Sequence, residues 1–199
     1  TGGSVRWPAA LCGVVGYKST TDHWPQDGIF PLSRAMDSIG VFTSCVADLR
    51  VVHAALAGVS VAEAPLPSQL VLALPGAHFF QNIEPEVEAC FTRAVELLRD
   101  AGVAIREVAL PEAAEIEEVF GRLVTAEWLA FVGRDRFLAN ESIIDPVVAA
   151  RVRGGLELRA DQYVRLASRQ QALTTLIGER AEGIDGWLSP TVVKLPAPC

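Results

Sequence analysis

The chain has 199 residues, half of them hydrophobic and 21% charged, with a formal net charge of −7. That length and balance suit one globular domain with an ordinary core, over residues 1–199. The acidic surplus argues against nucleic acid as a partner, because a phosphate backbone calls for a basic face, and no apolar run approaches the roughly 18 residues that span a bilayer.

The first forty residues are rich in glycine, proline and short apolar runs. From Ser44 the pattern changes. "SCVADLRVVHAALAG" places Val46, Leu49, Val52 and Leu56 at helical spacing, with Gly58 as the stop. "QLVLALPG" is a short apolar run closed by Pro-Gly and predicts a buried strand. In "IEPEVEACFTRAVELLRDAG", Pro85 suits the first turn of a helix, the early carboxylates suit its positive end, and Gly102 closes it. "VAIREVAL" alternates like a strand. Strand, helix and strand between Gln69 and Leu110 thus predict a βαβ unit with a parallel pair.

The second half is read as mostly helical. "EAAEIEEVFGRLVTAEWLAFVGRDRF" predicts one long helix, acidic at its start and basic at its end, "DPVVAARVRGGLEL" a shorter one, and "RADQYVRLASRQQALTTLIGERAEG" another long one. "IDGWLSPTV" predicts a last short strand that breaks at Pro190. Trp128, Phe131 and Trp187 are expected in the core, with an acyl pocket as the other reading. The four cysteines (Cys12, Cys45, Cys90, Cys199) are widely spaced. They are expected to be free and mostly buried thiols in a reducing compartment, which points to the cytoplasm.

The opening Thr1–Gly2–Gly3–Ser4 carries chemistry or nothing. Glycine tolerates positive φ and close approach, and successive glycine amides can converge on an anion. A hydroxyl beside such a cradle is what acyl transfer requires: the oxygen attacks a carbonyl and the amides hold the oxyanion. Gly-Gly-Ser is equally a common flexible turn. No partner base is evident. His53 falls in a predicted helix, His78 follows a strand, His23 lies in a polar loop, Lys194 sits in a proline-rich tail, and Lys18 follows an apolar run.

The longer stretches "TGGSVRWPAALCGVVGYKST" and "GIFPLSRAMDSIGVFTSCVADLRVVHAALAG" closely resemble the amidase signature family. Members share Gly-Gly-Ser with a small aliphatic residue and Arg, then Pro-Ala, Cys-Gly, Gly-x-Lys-Pro-Thr, a Ser-Leu-Asp-like turn, Gly-Pro and a Thr-Val-x-Asp helix. The match is dense over roughly the first 58 residues, and "SPTVVKLPAP" is similar to the family's late strand. Ser19 and Val41 stand where the family has proline, and Tyr17 where leucine is frequent.

The resemblance implies an α/β fold with a mixed sheet covered by helices, and amide hydrolysis through a Ser–cis-Ser–Lys triad without metal or organic cofactor. It implies Ser4 as nucleophile and the backbone amides of Thr1, Gly2 and Gly3, with that of Ser4, as oxyanion hole. Arg6 is read as a brace for that loop in preference to a ligand for a substrate carboxylate. The family's cis-serine and catalytic lysine belong to earlier motifs, so the chain is expected to be a C-terminal fragment, inactive alone. Lys18 belongs to a different motif from the catalytic lysine and does not replace it. The expected partners are a small-molecule amide and either a second copy or the upstream half of the same chain. Two alternatives are a non-catalytic amidase-like binding module and an amidotransferase subunit for glutamyl-tRNA.

Overall fold

A computed structural model describes residues 2–61 and 63–197; Thr1 and Cys199, both singled out above, lie outside the described residues. The protein is mixed α/β and divides into two compact units. One is built from residues 3–19, 40–111 and 177 onward, the other from Gly2, residues 20–39 and residues 112–176.

The first unit carries the strands. Helix α1 (Arg6–Cys12) ends at Gly13 in the left-handed conformation and packs on strand β1 (Val15–Lys18). Strand β1 pairs antiparallel with β2 (Gly40–Thr43), Val15 opposite Thr43 and Lys18 opposite Gly40. Helix α2 (Val46–Ala57) follows, and Gly58 at φ +68° closes it as its position foretold. Strand β3 (Val71–Leu74) lies at the centre of a parallel sheet, with β4 (Ala104–Glu107) on one side and β5 (Gly186–Trp187) on the other. Between β3 and β4 runs α3 (Pro85–Asp100), with Pro85 in its first turn and Glu86 and Glu88 at its positive end. The βαβ expectation is therefore met. Strand β5 is anchored twice by Asp185, whose carboxylate accepts from the Val71 amide (2.7 Å) and whose own amide donates to the Val71 carbonyl (2.7 Å). Ala73, in mid-strand and flanked on both sides, is fully buried.

The second unit is helical. Helix α4 (Ala113–Val132) is followed by α5 (Arg134–Asn140), α6 (Pro146–Leu156) and α7 (Ala160–Arg180), whose last residues reach beyond it. The single long helix expected over 112–137 is in fact two, because Gly133 adopts φ +93° and ψ 135° and leaves the helical path. Two apolar clusters form the core here. Val119, Leu123 and Leu173 join α4 to α7, and Leu129, Phe137 and Val152 join α4, α5 and α6. Trp128, half-buried, packs against the second cluster edge-to-face with Phe137, and Trp187 is half-buried too, whereas Phe131 is exposed, which corrects the expectation of a core place for it. Helix α6 starts on an Asp145 cap whose carboxylate accepts from the Val147 (2.9 Å) and Val148 (3.1 Å) amides, with Pro146 in the first turn.

The expectation of buried thiols is corrected. Cys12, Cys45 and Cys90 are free but exposed, at the end of α1, at the start of α2 and on the outer face of α3. Among the described residues no helix is long and apolar enough to cross a membrane.

Two measurements check this packing. A Cβ on Gly155 would lie 2.9 Å from the Thr125 carbonyl carbon and 2.9 Å from Leu129 Cδ1, whereas one on Gly154 meets nothing within 4 Å. In urea denaturation, Gly155→Ala is expected to cost about 1–3 kcal/mol and Gly154→Ala to be neutral or to stabilise by up to about 1 kcal/mol; the reverse order would refute the α4–α6 contact. Asp145→Ala is expected to cost about 1 kcal/mol by loss of the cap, and an unchanged denaturation midpoint would count against it.

Candidate active site

Ser4 sits in a tight turn that leads into α1. The turn begins at Gly3, whose φ of +113° disfavours any residue with a side chain. A Cβ there would also press on the Trp7 indole, 3.2 Å from Nε1. The turn is closed by the Trp7 amide donating to the Gly3 carbonyl at 3.0 Å, and the Ala9 amide donates to Val5 at 3.2 Å. Gly3 is buried and Ser4 exposed. Among the described residues, neither the Ser4 hydroxyl nor the Gly3 and Ser4 amides have a hydrogen-bond partner.

Two more glycines hold this turn in place. A Cβ on Gly16 would lie 2.5 Å from Ala9 Cβ and 2.8 Å from the Val5 carbonyl oxygen. On Gly40 it would lie 2.6 Å from Val5 Cγ2 and 2.8 Å from the Tyr17 carbonyl oxygen. Val5, next to Ser4, is thus seated directly on the β1–β2 pair at a distance that only glycine permits. Both glycines belong to the motif noticed in the sequence, but their spatial role depends on strand pairing that no local pattern reveals.

Arg6 is exposed at the first position of α1 and makes no hydrogen bond or ion pair among the described residues. Its charge is felt at Lys18, whose pKa is lowered first by burial and then by Arg6. The Lys18 ammonium donates to the Ser19 carbonyl at 2.5 Å. His53 lies on α2 edge-to-face with Tyr17, and His78 lies on a 3₁₀ turn beside Phe79. Gly2, in the helical unit, is where a Cβ would meet the Phe120 ring at 2.9 Å. Thr1 is outside the described residues.

The helical unit holds a second polar centre that sequence reasoning missed. Glu127 on α4 accepts from the Ser33 hydroxyl (2.8 Å), the Ala35 amide (3.3 Å) and the Tyr163 hydroxyl (3.2 Å). Ser33 is almost fully buried. The same loop is folded by Asp37, whose carboxylate accepts from the Leu32 (2.7 Å) and Ser33 (2.9 Å) amides. Burial, and then the neighbouring Glu127 charge, push the Tyr163 hydroxyl up from its ordinary pKa, so it remains a donor. Among the described residues no cluster of His, Cys, Asp or Glu has a metal-binding arrangement.

Comparisons with known proteins agree on one relationship. The amidase family model matches residues 1–196. A 2-amino-5-chloromuconic acid deaminase of Comamonas testosteroni is 35% identical over 202 residues, which cover 98% of this chain and 44% of that protein. An indoleacetamide hydrolase of Agrobacterium vitis is 36% identical over 112 residues, covering 56% of this chain and 24% of that one. A crystal structure of an amidase superposes with a TM-score of 0.85 at 30% identity, covering all of this chain and 45% of that chain. The chain thus spans less than half the length of these proteins, and over that span both its sequence and its fold follow theirs. It belongs to the amidase family.

Proposed function

We propose that the protein carrying this chain cleaves the carbon–nitrogen bond of a small, non-peptide carboxamide through a serine acyl-enzyme. The observation that carries the reading is the Ser4 turn: an exposed hydroxyl after a glycine at positive φ, beside amides with no carbonyl partner among the described residues. The hydroxyl attacks the amide carbonyl, and the developing oxyanion takes hydrogen bonds from the amides of Gly3 and Ser4, with those of Thr1 and Gly2 assigned to the same cradle. The amine leaves with a proton, and water then resolves the ester to release the acid and restore Ser4.

The residue that takes the Ser4 proton is assigned to the family's cis-serine and lysine, in the portion of the relatives that this chain does not span. Lys18 is not assigned as that base, because it belongs to a different motif; its ammonium donates to the Ser19 carbonyl. Arg6 is assigned to holding the loop in the complete protein. By itself the chain is expected to show negligible turnover. A cytoplasmic setting fits the free thiols of Cys12, Cys45 and Cys90 among the described residues.

Two variants of the complete protein test the reading. Ser4→Ala is expected to lower kcat for amide hydrolysis at least about a thousandfold; an undiminished rate would remove Ser4 from the reaction. Gly16→Ala pushes on Val5 and Ala9 and so displaces the turn. It is expected to lower kcat by about tenfold or more, measured per folded molecule alongside the melting temperature. Full activity would show that the seating of Val5 does not position the nucleophile.

A further inference from the structure

Arg34 lies in the loop between Thr20 and Ile39 and, among the described residues, forms no hydrogen bond and has no carboxylate within 4 Å. Its guanidinium stands 6.0 Å from the centre of the Phe131 ring, and Phe30 stands edge-to-face with Phe131 at 4.9 Å. Arg34 and Phe131 line a cavity of about 430 Å³, completed by Pro31, Leu32, Ala130 and Tyr163. Glu127 also reaches this cavity, but its two oxygens are engaged by Ser33, Ala35 and Tyr163. Arg34 also borders a polar hollow of about 280 Å³ with Asp22, Asp27 and Asp37.

We propose that the cavity between the 31–35 loop and α4 binds a small arylalkanoate, with the carboxylate on Arg34 and the ring against Phe131. The volume suits a single-ring molecule. A guanidinium offers paired donors to a carboxylate, and Phe131 offers a ring edge or face to an aromatic body. The three aspartates make the polar hollow unfavourable to a second anion, which confines the carboxylate to the aromatic side of Arg34. The site lies wholly within the helical unit and does not depend on the assignment of Ser4.

Calorimetric titration with 3-phenylpropionate tests this, with no turnover required. Binding in the millimolar range or tighter is expected for the protein. Arg34→Gln is expected to weaken it at least about tenfold, and Phe131→Ala to weaken it several-fold. The neutral 3-phenylpropan-1-ol is expected to bind at least about tenfold less tightly. Because Arg34 is exposed, its variant should keep the parent's melting curve, so weaker binding is not a folding defect. Equal affinity of Arg34→Gln and the parent, equal affinity for acid and alcohol, or no binding by the parent would each overturn the proposal.

Discussion

The close contact between Val5 and the β1–β2 pair is the constraint on which the rest of the candidate site depends. Ser4 is in a turn, and turns alone do not hold a hydroxyl in a fixed direction. Here the next residue is pinned from below, because Gly16 and Gly40 let the Val5 side chain and carbonyl approach two strands within ordinary contact distance. The preceding residue is pinned in conformation, because Gly3 holds φ at +113° and its carbonyl takes the Trp7 amide. An activated oxygen needs such placement as well as its base, since misplacement by about 1 Å can cost a hundredfold in rate.

The helical unit follows a similar logic with a charge in place of a close contact. Glu127 is a carboxylate on α4 that three donors from a loop and from α7 satisfy. A half-buried carboxylate with such partners is tolerated, and it fixes the loop that carries Arg34. That loop carries Arg34, which has no carboxylate within 4 Å among the described residues, beside the exposed rings of Phe30 and Phe131. The surface ion pairs of the same unit, such as Arg169 with Glu115, are exposed and contribute little to holding it.

Much of the fold was legible because its signals are local. Helices α2, α3 and α6 carry apolar spacing with a proline start or a glycine stop, and β3 and β4 are short apolar or alternating runs between turn residues. The break between α4 and α5 was not legible. Gly121 stays helical within α4 while Gly133 leaves the helix, and the two look alike in sequence; beyond the break, Phe137 is buried with Leu129 and Val152, a tertiary contact that no local pattern shows. Strand β1 and its pairing with β2 escaped notice because they lie in a stretch rich in glycine and proline and pair across a long loop, residues 19–39. The Gly-Gly-Ser turn was read from its motif, yet the glycines that seat it lie 12 and 36 positions beyond Ser4. Glu127 was missed for the same reason, its partners lying 94, 92 and 36 positions away.

The central claim is that the Ser4 oxygen accepts an acyl group. The most direct measurement is peptide mass spectrometry of the complete protein after reaction with a fluorophosphonate, which transfers its phosphonyl group to an activated hydroxyl with loss of fluoride and a proton. The account predicts one adduct, on the tryptic peptide that ends at Arg6, fragmenting to Ser4. Loss of amide hydrolysis with the label on a different serine or threonine, and Ser4 unmodified, would contradict it.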